Sequence, residues 1–393
     1  MKNTTKGQNE QPQTRRRGFV QKRGDSTWLV RIFVGYKEDG SREYHNKTIK
    51  GLKADADKYL TDKLREKDLG MFVAPTTITL SEYLDKWLEV AAKPRLRERT
   101  LEDYKEYLKR YVRPTIGSKR LSEIRPLHVQ QVYTNMQTNG LSARTVRYCH
   151  AILSSALKQA VKWQMLAINP ASMADLPRQQ RKEMNALSPE EAGRFLDAAE
   201  SDKWHIIFAL ALTSGMRPEE YLALQWKDFD SKAGTVTVTR AIVWRRKGGG
   251  WKFEPPKTPQ SRRTIPLPLS VIRLLQEHRR KQNEERLKAG PAYQHNDFIF
   301  AGESGTPIRR ENLFRRHFKP LLKAANLPSH IRLYDLRHTC ATLLMAAGEN
   351  PKVVSERLGH ASIVLTLDTY SHVLPNMQQA ATAKLESLLF GTR

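Results

Sequence analysis

The apolar residues near the start of the chain recur at every second position. Trp28, Val30 and Ile32 alternate with Leu29 and Arg31, which is the period of a β-strand with one buried face. Turn residues separate this segment from two similar ones, and a helical pattern follows. The predicted strands and helix are residues 19–23, 28–36, 43–49 and 53–66. We therefore predict a three-stranded sheet backed by one helix over 18–70, after a disordered basic lead-in at 1–17.

From residue 78 the apolar period lies between three and four, as in amphipathic helices. Thr79 and Glu82 have the spacing of a capping box, and similar start signals follow. The four predicted helices are marked by Thr79, Thr100, Pro126 and Ser142. We predict an all-α bundle over residues 78–168, with linkers at 71–77 and 169–186.

Residues 187–393 mix helical patterns with short alternating segments. Ser188 opens a capped helix, and a second, apolar helix ends at Gly215. Residues 235–245 and 251–254 are predicted to pair as a hairpin. The further predicted elements are strands at 263–267 and 297–300 and helices at 270–287 and 312–325. The pattern indicates a mixed, mainly α domain with a small antiparallel sheet.

The stretch 331–370 places reactive side chains at the ends of short elements. Asp335 is predicted to cap a helix with Arg337 in its first turn. His360 follows the glycine that ends a second helix, and Tyr370 follows an apolar run. Side chains placed at such ends can converge on one point.

Two further cations lie upstream of this stretch. Arg217 lies in a tight turn between two apolar helices, where an unpaired charge is costly, so an ion pair with Glu219 or Glu220 is the structural alternative. Lys257 lies in the turn PPKTPQS, where an ordinary turn lysine is the alternative. The glycines before it fit a hairpin turn, because no GxxxxGK[ST] motif is present.

Composition narrows the class of partner. Lys and Arg number 67 against 41 Asp and Glu, a formal charge of +26, which indicates a polyanionic partner. A basic protein without catalysis, such as a ribosome-associated factor, is the alternative. Cys149 and Cys340 predict neither a disulfide framework nor a thiolate metal site. We find no membrane-length apolar run and no signal peptide, and we expect a cytoplasmic protein.

The motifs taken together resemble those of the tyrosine recombinases, also called the phage integrase family. The resemblance rests on TSGMRPEE with Arg217, PKTPQSRR with Lys257, LYDLRHTCATLL with Arg337, ERLGHASI with His360 and TLDTYSH with Tyr370. These segments occur in the family's order. The N-terminal sheet is similar to arm-type DNA-binding domains, the bundle to core-binding domains, and residues 187–393 to the catalytic domain with a C-terminal tail helix.

The resemblance implies a site-specific recombinase that integrates or excises a mobile element or prophage in a bacterial host. Its partners would be double-stranded DNA at core and arm-type sites, a homo-tetramer that passes through a Holliday junction, an excisionase and a host DNA-bending protein. No metal ion, ATP or other cofactor is implied. An inactive DNA-binding regulator and a type IB topoisomerase-like relaxing enzyme are the alternatives.

The chemistry of phosphodiester cleavage suits these residue types. Guanidinium groups at Arg217 and Arg337 neutralise a phosphate, and Tyr370 is the candidate nucleophile. His360 is placed to contact the phosphate or assist Tyr370, and Lys257 to protonate the leaving 5′ oxygen.

One position departs from the family. Tyr334 occupies a site where the family often carries a histidine, and a phenol cannot act there as a base at neutral pH. We expect Tyr334 to position the substrate. His338, next to Arg337, is interpreted as a packed helix residue. The apolar residues of the tail helix, which are Met377, Ala380, Ala381, Leu385, Leu388 and Leu389, can dock in cis or on a neighbouring subunit.

Overall fold

The chain divides into two compact units, residues 1–181 and 182–393. Among the described residues, each cluster of buried apolar side chains lies within one of these units. The computed structural model describes residues 17–36, 39–69, 72–73, 77–179, 184–245, 249–256, 258–370 and 377–391.

The first unit begins with an antiparallel sheet whose strands lie in chain order. Its elements are β1 (Gly18–Gly24), β2 (Thr27–Tyr36), β3 (Arg42–Lys50) and the helix α1 (Lys53–Asp68). Val30 and Ile32 are fully buried with Ala56 of α1, as the alternating pattern predicts. Arg31, between them, faces the other way, and its guanidinium lies 4.6 Å from the ring centre of Tyr44. One sheet face is therefore core and the other carries cations and aromatic rings.

A helical bundle follows in the same unit. Its helices are α2 (Leu80–Trp87), α3 (Glu98–Tyr107), α4 (Arg113–Ile116), α5 (Pro126–Thr138) and α6 (Ala143–Lys162). Wide π-helical turns extend α2 over Leu88–Ala92 and α3 over Leu108–Val112. The capping box is confirmed, since the Glu82 amide donates to Thr79 Oγ1 and the Thr79 amide to the Glu82 carboxylate. The predicted cap at Thr100 is wrong. The helix begins at Glu98, whose carboxylate suits the positive helix N-terminus.

The second unit opens with helices α7 (Pro189–Ala199), α8 (His205–Ser214) and α9 (Pro218–Tyr221). The predicted cap on α7 is confirmed, because Ser188 Oγ accepts from the Glu191 amide. Helix α8 is apolar and almost wholly buried, and it ends at Gly215, which has a left-handed φ of 65°. A Cβ at this position would lie 2.7 Å from Leu358 Cδ2. Glycine is favoured there because other residues rarely adopt this backbone conformation, and because a Cβ would displace the Leu358 side chain.

The strands of this unit form two small antiparallel sheets. They are β4 (Phe229–Asp230), β5 (Thr235–Val238), β6 (Ala241–Trp244), β7 (Trp251–Glu254) and β8 (Arg263–Pro266). The predicted single strand 235–245 is wrong, because β5 pairs with β4 and β8 whereas β6 pairs with β7. The strand breaks where Arg240 forms an ion pair with Asp228, at 2.7 and 3.1 Å. The predicted strand at 297–300 contributes only an isolated bridge, between Phe298 and Gln225.

Helices complete the second unit. They are α10 (Leu269–Ala289), α11 (Arg310–Leu313), α12 (Lys319–Ala324), α13 (Asp335–Ala346), α14 (Pro351–Leu358), α15 (Ile363–Tyr370) and α16 (Met377–Phe390). A π-helical turn, Phe314–Phe318, joins α11 to α12. The predicted capping role of Asp335 is wrong: Tyr334 occupies the cap position of α13, and the Asp335 carboxylate instead accepts from the amide and guanidinium of Arg332.

Candidate active site

Arg217 occupies the short turn between α8 and α9, directly before Pro218. Its Nη1 donates to Glu220 Oε1 at 2.6 Å, and its amide donates to Glu220 Oε2. Glu220 is 3% exposed and also accepts from Arg263 Nη2 at 2.9 Å. Burial opposes the carboxylate charge, but Arg263 and Arg217 outweigh it and lower the pKa of Glu220. The predicted ion-pair alternative is thus present, and it fixes the orientation of the Arg217 side chain.

Arg337 lies in the first turn of α13, and its side chain is only 1% exposed. Its Nη1 donates to the Gly215 carbonyl at 2.7 Å, which ties α13 to the end of α8. Its Nη2 is buried and has no hydrogen-bond partner among the described residues. Burial, reinforced by the charge of Arg217, lowers the pKa of Arg337 to about 10. A buried cation with an unused donor is costly unless it has a ligand to bind.

His360 lies directly after Gly359, whose left-handed conformation ends α14. Its Nδ1 shares a hydrogen bond of 2.8 Å with Thr366 Oγ1 in α15. Burial, together with the charges of Arg337 and Arg217, lowers the pKa of His360 to about 4. The imidazole is therefore neutral at pH 7, and it can donate one hydrogen bond to an anion.

Tyr370 is the last residue of α15, and it is buried against α13 and α14 with 1% of its surface exposed. Its hydroxyl lies 2.7 Å from Nδ1 of His338. Burial raises the pKa of Tyr370 above its usual value, although Arg337 opposes the shift. The phenol is accordingly protonated at rest and needs an acceptor for its proton before it can act as a nucleophile.

The contact between His338 and Tyr370 was missed by the sequence analysis, which interpreted His338 as a packed helix residue. The side chain is indeed buried, at 6% exposure, but it also touches the candidate nucleophile. A separation of 32 positions along the chain leaves no periodic signal that would link the two residues. The pair can only be recognised once α13 and α15 are packed together.

Tyr334 lies one helical turn before His338. The centres of the two rings are 5.2 Å apart, with an interplanar angle of 59°. Burial lowers the pKa of Arg217, but Glu220 and, to a smaller extent, the Tyr334 hydroxyl raise it, and the net effect is a raised pKa. Tyr334 therefore touches both the arginine side and the histidine side of the site. The remaining sequence candidate, Lys257, lies outside the described residues.

Arginine contacts with main-chain carbonyls hold the surrounding segments in place. Arg357 donates to the carbonyls of Thr213, at 2.8 and 3.2 Å, and of Pro266, at 3.1 Å. Arg263 Nε donates to the carbonyl of Arg357 at 2.6 Å. These contacts join the end of α8, the end of β8 and α14. Arg217, Tyr334, Arg337, His360 and Tyr370 lie in one basic site, in which Arg337 and Tyr370 are buried and Tyr334 is 36% exposed.

Comparison with known proteins assigns this arrangement to a family. The sequence model described as "Phage integrase family" matches residues 185–377, and that of the "Phage integrase, N-terminal SAM-like domain" matches residues 79–137. A XerC-like tyrosine recombinase of Caldanaerobacter subterraneus subsp. tengcongensis is 30% identical over 388 residues, spanning 93% of this chain and 97% of that protein. The chain belongs to the phage integrase family. It is a tyrosine recombinase, an enzyme of site-specific recombination.

Other tyrosine recombinases agree with this assignment. The ICEBs1 integrase of Bacillus subtilis is 29% identical over 80% of this chain and 83% of its own length. A structure of the Tn1549 transposon integrase with a circular intermediate DNA superposes with a TM-score of 0.66, at 22% identity, over 79% of this chain and 100% of that one. The phage integrase fold predicted from the sequence is thereby confirmed. No helix in the described ranges has the length and apolar content needed to cross a membrane.

Proposed function

We propose that this recombinase cleaves and rejoins double-stranded DNA through a covalent 3′-phosphotyrosine at Tyr370. The observation that carries the proposal is the buried Arg337, whose Nη2 lacks a partner among the described residues. A guanidinium binds phosphate oxygens through paired, charge-assisted hydrogen bonds. A scissile phosphate would supply the missing acceptor, and it would offset the burial that lowers the pKa of Arg337.

The remaining roles follow from chemistry and position. Arg217, oriented by Glu220, would contact the same phosphate and stabilise the charge that develops during attack. His360 would donate a hydrogen bond to a phosphate oxygen. Lys257, which lies between β7 and β8 in the sequence, would protonate the departing 5′ oxygen.

Tyr334 is proposed to position its neighbours. Its ring packs on His338, and its hydroxyl is near Arg217. Tyr334→Phe keeps the ring, so DNA cleavage should fall only several-fold, whereas Tyr334→Ala should lower it further. Single-turnover cleavage of a nicked duplex measures both effects. Complete loss of the covalent complex in folded Tyr334→Phe would contradict this role.

The domain assignments extend the proposal to DNA binding. We assign residues 18–70 to an arm-type DNA-binding domain, with the sheet face around Arg31 against the DNA. Residues 78–168 would be the core-binding domain, and 187–393 the catalytic domain. The SAM-like match lies within 78–168 and supports the core-binding assignment. The related Tn1549 integrase fragment has been solved in complex with DNA, which supports DNA binding by the part of this chain that it matches.

Assembly and context are proposed on the same basis. Four copies would act on paired DNA sites and exchange strands through a Holliday junction, with the tail helix α16 docked on a neighbouring subunit. Its Leu388, Leu389 and Phe390 are at least 70% exposed, which leaves an apolar surface for such a contact. The protein would work in the bacterial cytoplasm on a mobile element or prophage, together with an excisionase and a host DNA-bending protein.

One experiment tests the proposed reaction. Labelled, nicked duplexes that tile the DNA on both sides of the protein's own gene are incubated with the full-length chain. We expect an SDS-resistant protein–DNA adduct on at least one duplex, and none with Tyr370→Phe. Binding without any adduct across the whole set would instead indicate a DNA-binding regulator.

A further inference from the structure

The hydroxyl of Tyr370 has a defined partner in the structure. Nδ1 of His338 lies 2.7 Å from it, within the range of a good hydrogen bond between a hydroxyl and a nitrogen. The two side chains come from α13 and α15, and both are more than nine-tenths buried. None of the roles assigned above uses this imidazole, although it is a titratable group in direct contact with the candidate nucleophile.

We propose that His338 is a catalytic residue, whose Nδ1 accepts the phenolic proton as Tyr370 attacks the scissile phosphate. The inference rests on the proposed phosphotyrosine reaction and adds the proton acceptor that this reaction needs. Tyr334 cannot fill that role, because a phenol is a poor base at neutral pH. The structure provides an imidazole one helical turn further along α13, directly against the nucleophile.

The protonation states at rest suit this role. Burial lowers the pKa of His338 to about 4, so the imidazole is neutral and has a free lone pair on one ring nitrogen. Burial raises the pKa of Tyr370, so the phenol keeps its proton. The hydrogen bond then runs from the phenol to Nδ1 when the imidazole proton resides on Nε2. A base that touches the nucleophile directly typically contributes 100-fold or more to the rate.

The charged groups around His338 also explain how substrate would activate it. After burial, Asp335 raises its pKa, whereas Arg337 and Arg332 lower it. A phosphate bound to Arg337 would neutralise one of the two opposing cations. The imidazolium would then be favoured by Asp335 and by the charge of the phosphate itself. Tyr334 packs on the ring and limits its rotation. His338 would thus become a stronger base when DNA is bound.

The step balances in both directions. On cleavage, the O–H bond of Tyr370 breaks and its proton moves to His338. The phenolic oxygen forms a bond to phosphorus, and the bond from phosphorus to the 5′ oxygen breaks, with Lys257 supplying the proton to that oxygen. On rejoining, the 5′ hydroxyl returns its proton to Lys257, and Tyr370 takes a proton back from His338 as the phosphotyrosine bond breaks.

The test compares His338→Gln with Lys257→Ala on a nicked duplex that gives an adduct with the wild type. Both variants should cleave about 100-fold or more slowly, with DNA binding and thermal unfolding close to those of the wild type. They should then differ in what restores the rate. Replacing Tyr370 by the more acidic 3-fluorotyrosine should speed up His338→Gln at least tenfold and leave Lys257→Ala slow. A sulfur at the 5′ leaving position should restore Lys257→Ala only.

Each outcome has a defined meaning. Two results would overturn the role of His338: an unchanged cleavage rate in His338→Gln, or a slower rate that 3-fluorotyrosine does not restore. In both cases, an adduct formed by the wild type would still support the proposed function. No adduct from the wild type on any duplex overturns the proposed function itself.

A measurement on the wild-type chain covers the case in which His338→Gln fails to fold. In ¹⁵N spectra of histidine-labelled full-length protein, the resonance that shifts in Tyr370→Phe should be an unprotonated Nδ1. A protonated Nδ1 at that position would make the phenol the acceptor and overturn the inference.

Discussion

Replacing Arg337 with methionine should stabilise the folded protein and abolish DNA cleavage. The side chain is 1% exposed, and burial lowers its pKa to about 10. Since one pKa unit corresponds to about 1.4 kcal/mol, keeping this arginine charged costs on the order of 3 kcal/mol. The variant loses the hydrogen bond to the Gly215 carbonyl, worth about 1.5 to 3 kcal/mol for a charged donor. It also removes the unpartnered Nη2, and we expect a net gain of about 1 kcal/mol.

The assay is urea unfolding of the full-length chain followed by tryptophan fluorescence, together with adduct formation on a nicked duplex. Arg240→Met is the matched control, because Arg240 is paired with Asp228 at 2.7 and 3.1 Å and Asp228 is 8% exposed. Arg240→Met leaves the buried Asp228 carboxylate without its ion-pair partner and should lower the free energy of unfolding by about 3 kcal/mol. The two substitutions should therefore change stability in opposite directions. A loss of more than about 1 kcal/mol in Arg337→Met would refute the reasoning from burial.

Three further results are expected. Glu220→Gln leaves two arginines without their carboxylate, so it should lower the free energy of unfolding by about 3 kcal/mol. It should also slow DNA cleavage, because Arg217 loses the partner that orients it. An unchanged urea midpoint would argue against this. Burial lowers the pKa of His338 and His360 to about 4, below the unfolded value of about 6.5. Their contribution to stability is therefore complete above pH 6.5 and is lost as the pH falls towards 4. Between these pH values the free energy of unfolding should change by on the order of 1 kcal/mol per pH unit through His338, and by less through the partly exposed His360. Unfolding measured at a series of pH values tests this, and a free energy of unfolding that stays constant over the range would contradict it. Deleting residues 376–393 should lower strand exchange more than single-strand cleavage, and equal losses would count against docking of the tail helix on a neighbour.

Local signals in the sequence predicted much of the fold. The alternation around Val30 and Ile32 and the cap at Ser188 depend only on residues within a few positions, and the structure bears out both. The turn between α8 and α9 was predicted for the same reason, because a glycine and a proline flank Arg217. Such signals state where an element starts or ends. They therefore also indicated that the candidate site residues lie at element ends.

Contacts between distant segments were beyond the reach of these signals. The strand predicted at 235–245 breaks because Arg240 turns to Asp228, and no period in the sequence encodes that ion pair. The sequence indicates Glu220 as a partner of Arg217, but no local signal indicates its second bond, to Arg263 43 positions away. His338 was missed for the same reason.

The carbonyl contacts around the site have a consequence for its evolution. In three of these contacts the acceptor is a main-chain oxygen: Thr213 and Pro266 accept from Arg357, and Arg357 accepts from Arg263. Every amino acid carries that oxygen, so exchanging the side chain at 213 or 266 leaves the acceptor in place. Mutational robustness is thus built into the accepting segments, and fragility is concentrated in the arginines that donate. Near the active site, neutral substitutions should therefore accumulate at positions such as 213 and 266, which accept through main-chain oxygens.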